Sequence, residues 1–314
     1  MKVGIVGAGA LGLLYAHSFH EHAVDFVIYE VNKEIVDDIK KNGITLLNGG
    51  ISKNISPVID SSSEILHDAD IIFLFVKSYS TLDAVSDIKD HINQNSIIVS
   101  LQNGLGNVEE IKKFIDIDRI VYGSTTIGAA KSSFSTVIAG GSGIVNIGGA
   151  DKNNIMKVDS LLKDSGFDSQ ITDDPDSVVW KKAIINAGIN PIAALLNIPN
   201  GKILSNEYAL TLQENIIKEA VNAAIANNIE IKFDEILQTT RDVCTKTSGN
   251  LCSMLQDIQN EKKSCSKIQD VRNERKTEIE SITGKIIEYG ENKGLNMQFN
   301  KSLYLLIKSM ESIK

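Results

Sequence analysis

Cysteine is scarce in this chain, with three thiols, Cys244, Cys252 and Cys265, among 314 residues. They make neither a CxxC motif nor a Cys/His ligand pattern, so a metal cluster and a disulfide framework are not expected, and a reducing, cytoplasmic setting is. Proline is equally rare, at four residues, and a composition 42% hydrophobic and 23% charged is that of a globular chain whose length suggests two domains. Excess positive charge is missing as well. The formal charge of −8 argues against a general nucleic-acid binder, which would want a basic face. No apolar run approaches the ~20 residues that span a bilayer; ADIIFLFV, residues 69–76, is far too short. The start, MKVGIVGAGALGLLYA, has the positive end and apolar stretch of a secretory signal. Its glycines are spaced as in a tight strand-to-helix turn and no convincing cleavage site follows, so mature protein is expected.

Strand signal is plentiful in the first half and nearly absent from the second. KVGIVGAG, DFVIYE, DIIFLFVK, SIIVSLQNG and RIVYGSTTIGAA read as strands. LGLLYAHSFHEH, NKEIVDDIKKNG (ending on Gly43), a stretch around Leu82 to Ile92 and another from Val108 read as the helices between them. Such alternation predicts a doubly wound parallel sheet with helices on both faces. Residues 134–149, FSTVIAGGSGIVNIGG, are expected to form a hairpin around Gly140–Gly143. From DDPD (173–176) onward the periodicity is helical throughout, in EYALTLQENIIKEAVNAAIANN, DEILQTTRDVCTKT and KTEIESITGKIIEYGENKG. The expected organisation is α/β, a Rossmann domain over 1–174 and an all-α domain over 175–314.

Gly7-Ala8-Gly9-Ala10-Leu11-Gly12 is GxGxxG in the strand–turn–helix context that a dinucleotide site requires. The first glycine permits the turn, the second lets a pyrophosphate approach the backbone, and the third lets helix and strand pack closely. Free N–H groups at the helix start then hold phosphates. Glu30, at the tip of the next strand, can accept from the adenosine ribose hydroxyls and repels a 2′-phosphate, which favours NAD(H) over NADP(H); Lys33 is near enough to help a phosphate. Lys77 and Asn103 follow strands, where ligands of open α/β sheets bind, although a polar residue capping a strand end is the equal alternative for each.

WKKAIINAGINPIAALLNIPNG, residues 180–201, reads as a helix running into proline, with Lys182, Asn186 and Asn190 spaced by four. Residues at i, i+4 and i+8 share one face. Among Ala, Ile, Leu and Gly, such a stripe reads either as the lining of a cavity or as a solvated face. A lysine ammonium in a cavity could meet the negative charge left on a ketone oxygen by hydride addition and supply the proton. Carboxamides could orient a carboxylate or hydroxyl without competing for it.

At these residues the chain resembles the ketopantoate reductases (2-dehydropantoate 2-reductases). The ordered marks are GAGALG, LQNGLGN at 101–107, K-x3-N-x3-NP at 182–191, PNG at 199–201, and SMLQDI followed by RKTEIE. The resemblance implies a Rossmann and a helical domain with the active site in the cleft between, and the reduction of 2-dehydropantoate to (R)-pantoate on the route to pantothenate and coenzyme A. It implies Lys182 as proton donor and Asn186, Asn190 and Asn200 as holders of the substrate's hydroxyl and carboxylate ends. Lys77, Asn103 and Ala129 would line the cofactor, with Asn103 also near substrate. Glu278 would stand close to Lys182 and the nicotinamide ribose. The family usually has an arginine near the end of the second strand; this chain has Glu30, which reinforces NAD(H).

A tandem repeat departs from the family pattern. CSMLQDIQNEKK (252–263) is followed at a period of 13 by CSKIQDVRNERK (265–276). The family's single serine here binds the substrate carboxylate. Ser253, with Asn250 beside it, is the better match, and Ser266 is the choice when counting back from Glu278. Thirteen residues of continuous helix turn a copy by about 220°, so both could not face the substrate. The expected partner is a small-molecule 2-oxo acid, with no metal, nucleic acid or membrane; a homodimer is left open. Alternatives are a paralogue acting on another 2-oxo acid and a dinucleotide-binding sensor without turnover.

Overall fold

The computed structural model describes residues 1–264 and 276–313. The chain divides into two compact units, Met1–Gln102 with Asn107–Val178, and Val179–Lys314 with the short loop Asn103–Gly106.

The first unit is built on strands β1 (Lys2–Val6), β2 (Asp25–Tyr29), β3 (Ile44–Asn48), β4 (Ile51–Ile55), β5 (Val58–Asp60), β6 (Ile71–Leu74), β7 (Ile97–Ser100), β8 (Ile120–Thr125), β9 (Ala129–Lys131), β10 (Thr136–Ala139), β11 (Ile144–Gly149) and β12 (Asp168–Ile171). Eight of them form the main sheet in the order β12-β11-β8-β7-β6-β1-β2-β5. It is parallel except where β11 meets β8. The β-branched runs at β1, β6 and β7 are buried on both faces, as a sheet covered on both sides demands. Strand order reverses at β1 and β6, which opens a crevice at the carboxyl ends of those strands.

Helices α1 (Ala10–Glu21), α2 (Lys33–Asn42), α3 (Thr81–Ile88), α4 (Asn107–Ile111) and α5 (Lys152–Asp164) complete the unit. Local chemistry sets their ends. The Asn32 side chain accepts from the N–H groups of Glu34 and Ile35 and starts α2. Gly43, at φ +70°, ends it. The fold class expected from the sequence is the one observed.

Residues 134–149 do not form the expected hairpin. β10 belongs to a second, four-stranded sheet, ordered β4-β3-β10-β9, whereas β11 lies in the main sheet. The glycines between them serve close backbone passage: Gly140 N–H donates to the Gly128 carbonyl at 2.8 Å. A Cβ on Gly143 would stand 2.6 Å from the Thr126–Ile127 backbone. The small sheet was otherwise invisible to patterning, because β4 is exposed along almost its whole length and lacks an apolar alternation.

The second unit is helical: α6 (Pro175–Leu196), which begins in the first unit, then α7 (Glu207–Ala226), α8 (Phe233–Lys246), α9 (Ser253–Ser264), α10 (Lys285–Glu291) and α11 (Gln298–Ser312), with a π-helical turn over Glu280–Gly284. Pro175 opens α6 and Asp174 Oδ1 accepts from Ser177 N–H at 2.9 Å, a cap made by the same DDPD that marks the change of texture. The helix does not stop at Pro191. The proline cannot donate to the Ala187 carbonyl one turn back, and the next carbonyl, that of Gly188, accepts from the buried side chain of Gln213 at 3.0 Å. The true end is a Schellman turn. Asn197 has φ +53°, Ile198 N–H reaches the Ala193 carbonyl, and Asn197 N–H that of Ala194.

One glycine holds strand and helix of the first unit at contact distance. A Cβ at Gly12 would lie 2.1 Å from the Gly7 carbonyl oxygen, a backbone atom with little room to yield. Gly12→Ala should lower stability by about 2 kcal/mol or more, seen as a fall of about 4–8 °C in the unfolding temperature of this unit. An unchanged midpoint would show that the turn relaxes freely.

Candidate active site

The turn after β1 is shaped to receive an anion. Gly7 takes φ +99°, and its N–H donates to the Tyr29 carbonyl at 2.9 Å, tying β1 to β2. A Cβ there would meet Val76 and Phe75 at 3.0–3.2 Å, so the segment leading to Lys77 passes directly beside the turn. Gly9 precedes α1 without a side-chain cap, and no acid lies in the first helical turn. The first intrahelical bond runs from Leu13 N–H to the Gly9 carbonyl, leaving the N–H groups of Ala10, Leu11 and Gly12 without an intrahelical partner. With the positive end of the helix dipole, these are ready phosphate ligands. Glu30 is fixed from two sides: Ala8 N–H donates to Oε2 at 2.8 Å and Asn32 N–H to Oε1 at 2.9 Å. Each carboxylate oxygen keeps a lone pair for a hydroxyl. The turn and its acid therefore fit a dinucleotide.

In the second unit, Lys182 lies on α6 between buried neighbours Ala183, Ile184 and Ala187. The residue as a whole is partly accessible, but its ammonium is desolvated, which pushes its pKa down to about 8 against the pull of the Glu278 carboxylate. Among the described residues it makes no direct hydrogen bond or ion pair. Glu278 is itself buried and accepts a hydrogen bond from Asn103 Nδ2 at 3.4 Å. Its position is set by the chain around it. Thr277 donates through both N–H and Oγ1 to Glu311 at 2.7 Å, and the Ser281 carbonyl, in the π-helical turn, accepts from Leu105 N–H at 2.8 Å. Gly104, at φ +83°, permits that approach, since a Cβ there would collide with Ser281 at 2.4 Å. The loop holding Asn103 thus belongs to the helical unit, although it follows strand β7.

The remaining candidates fall into two groups. Asn190 and Asn200 are buried and Asn186 is partly buried. The Asn190 carbonyl accepts from Cys252 Sγ at 3.4 Å, which ties the proline turn of α6 to the start of α9; burial pushes that thiol's pKa up to about 11. Asn200 N–H donates to the Asn250 carbonyl at 3.0 Å, and a Cβ on Gly201 would stand 2.6 Å from Ser248, so PNG and the loop before α9 lie backbone to backbone. The side chains of Asn250 and Ser253 are exposed, unlike those of Cys252 and Met254 beside them. Ser266 and Cys265 lie outside the described residues. Lys77 and Ala129 are partly buried in the first unit, Ala129 as the first residue of β9.

Patterning missed three contributors. Thr247 and Cys252 orient site residues through hydrogen bonds that no spacing announces. Lys131 places its ammonium on the Ala8 carbonyl at 2.9 Å from 123 positions away, and only its place two residues after Ala129 could have drawn notice. Among the described residues no cluster of His, Cys, Asp and Glu could hold a metal, and no helix is long and apolar enough to cross a membrane.

A fingerprint turn with an uncapped helix start, and a desolvated lysine facing a buried acid, define the class as a dinucleotide-dependent oxidoreductase. Residues 3–152 match the ketopantoate reductase PanE/ApbA family, and 176–264 and 261–311 match its C-terminal part in two stretches that overlap at 261–264, at the tandem repeat. The 2-dehydropantoate 2-reductase of Pyrococcus horikoshii is 34% identical over 100% of this chain and 98% of its own length, and that of Streptococcus pyogenes serotype M1 is 27% identical over 100% and 99%. Among solved structures, D-mandelate dehydrogenase with NADH and anilino(oxo)acetate superposes with a TM-score of 0.90 at 25% identity, covering 99% and 98% of the two chains. The 2-dehydropantoate 2-reductase of Geobacter metallireducens shares the fold with a TM-score of 0.86 at 23% identity, over 98% and 99%. The chain belongs to the ketopantoate reductase family, oxidoreductases that reduce a 2-oxo acid with a dinucleotide cofactor.

Glu278 is the charge that holds the Lys182 proton on. Glu278→Gln should move the pH midpoint for acylation of Lys182, about 8 in the native protein, to lower pH, because desolvation would then act unopposed. A midpoint that stayed in place would mean the carboxylate does not act on the amine.

Proposed function

We propose that this protein reduces 2-dehydropantoate to (R)-pantoate, a step toward pantothenate and coenzyme A, with NADH as the preferred donor. The observation that carries the chemistry is the desolvated Lys182 ammonium opposite Glu278. The name borne by relatives such as the P. horikoshii protein agrees with it.

The N–H groups of Ala10, Leu11 and Gly12 would hold the pyrophosphate and Glu30 the adenosine ribose; the bound reduced nicotinamide supplies a hydride to the ketone carbon. As the carbonyl bond opens, negative charge gathers on its oxygen. Lys182 stabilises that charge and passes its proton to the oxygen, leaving a neutral amine that solvent reprotonates. With its pKa about 8, the amine is protonated near neutrality yet gives up its proton more readily than an ordinary lysine. Reduction should therefore weaken as pH rises through that value. Asn103, on Glu278, would sit beside both cofactor and substrate, and Asn186 and Asn190 extend the same helical stripe for the substrate's carboxylate end, with Asn250 and Ser253 at its outer edge.

Asn200 selects among 2-oxo acids. Its Nδ2 donates to Thr247 Oγ1 at 2.9 Å, and Thr247 spends its one hydroxyl proton on the Val243 carbonyl at 2.7 Å. The amide can face only one way, so among the described residues Oδ1 is left as a buried acceptor without a donor. A substrate hydroxyl, such as that of 2-dehydropantoate, satisfies it, whereas a carboxylate cannot. A second reading, an aromatic 2-oxo acid, is favoured by the likeness to D-mandelate dehydrogenase.

Lys182→Ala should lower kcat with 2-dehydropantoate by about 10²–10⁴-fold while NADH affinity changes little; near-normal turnover would end the proposal. Asn200→Leu should raise KM about tenfold for 2-dehydropantoate and far less for 3,3-dimethyl-2-oxobutanoate, which lacks the hydroxyl. Equal effects on both, or a wild-type preference for an aromatic 2-oxo acid, would favour the second reading.

A further inference from the structure

Lys131 ends β9, in the small sheet, opposite Val137 of β10. Its Nζ donates to the Ala8 carbonyl at 2.9 Å, within the glycine-rich turn itself. The same Ala8 gives its N–H to Glu30, so this one residue carries a cation on its carbonyl and a carboxylate on its N–H. The ammonium is partly desolvated, which lowers its pKa, while Glu30 first and Asp38 second draw it back toward the charged form. The Phe134 ring lies 5.9 Å away from Nζ and adds a weak attraction. An ammonium has three N–H bonds. One is used on Ala8, and among the described residues the other two have no hydrogen-bond partner.

Bracing a carbonyl of the turn is work that a neutral donor could do. A desolvated charge is costly there, and Glu30 offsets part of that cost; the two N–H bonds not used on Ala8 are donors a further anion can take. Glu30 alone opposes a 2′-phosphate on the adenosine ribose, since two anions would be brought together without a counter-charge. Lys131 stands on the turn within range of that same carboxylate. We propose that Lys131 is a second determinant of cofactor choice, the cation that lets this turn accept a 2′-phosphorylated dinucleotide despite Glu30. The preference for NADH is then graded rather than absolute. The inference rests on the reading of the glycine turn as the dinucleotide site, and it is independent of which 2-oxo acid is reduced.

The test is calorimetric binding of 2′,5′-ADP, 5′-ADP, NADPH and NADH to the wild-type protein, Lys131→Met and Lys131→Arg. Lys131→Met should weaken 2′,5′-ADP and NADPH about tenfold or more, as loss of a charge-assisted hydrogen bond to phosphate predicts. 5′-ADP and NADH should move less than about threefold, within the reach of a neutral contact. Lys131→Arg should keep most of the 2′,5′-ADP affinity. Equal weakening of all four ligands would make Lys131 a brace of the turn only and overturn the proposal, as would no change in any of them. A wild-type protein that binds NADH but not 2′,5′-ADP would overturn it and leave the proposed reaction standing. Failure to bind any of the four would remove the dinucleotide reading as well.

Discussion

A buried lysine amine opposite a carboxylate is the interaction on which the proposed chemistry depends. Burial favours the neutral amine and Glu278 favours the ammonium, and the balance pushes the pKa down to about 8. In the proposed reaction the first influence makes the proton easier to give up, and the second keeps it on the amine. Much of the helical unit can be understood as holding these two side chains in register. The accommodated proline lets α6 run on to its Schellman end, the π-helical turn follows Glu278, and the Glu311 clamp on Thr277 fixes the residue before it.

Close backbone contact is the second recurring device. Gly12 against Gly7, Gly104 against Ser281 and Gly201 against Ser248 are all positions where a methyl group would stand under 3 Å from a neighbour. Each lies at or next to a residue that would touch cofactor or substrate. Rigid backbone, rather than loop side chains, thereby sets where Ala8, Asn103 and Asn200 stand. The same logic accounts for the two buried thiols described, Cys244 and Cys252. They take part in packing and weak hydrogen bonds, and burial raises the pKa of both, which suits structure better than reactivity.

The family relationship explains the architecture and leaves specificity to a few side chains. A 2-dehydropantoate 2-reductase and a D-mandelate dehydrogenase both superpose on this chain with high TM-scores, so the fold accommodates substrates of different shape. Discrimination must then come from groups whose hydrogen bonds can be satisfied by one substrate and not another. Under the proposed reading, Asn200 Oδ1 is such a group, a buried acceptor whose lack of a partner costs more than a favourable contact gains.

Sequence alone determined the parts of this protein that depend on near neighbours. Strand–helix alternation, the glycine turn with Glu30 at the end of the next strand, the change to helices after DDPD and the shared face of Lys182, Asn186 and Asn190 all follow from periods of two and 3.6 and from local caps. Glycine-rich residues 140–143 misled for the same reason, since a glycine run looks alike whether it turns a hairpin or lets two segments cross. Tertiary structure decided the rest. The charge state of Lys182 depends on burial and on an acid remote in the chain, the direction of the Asn200 amide on Thr247, 47 positions away, and the cation on Ala8 on a strand 123 positions away. No local pattern carries such information, because these groups meet only when the packed chain brings them together.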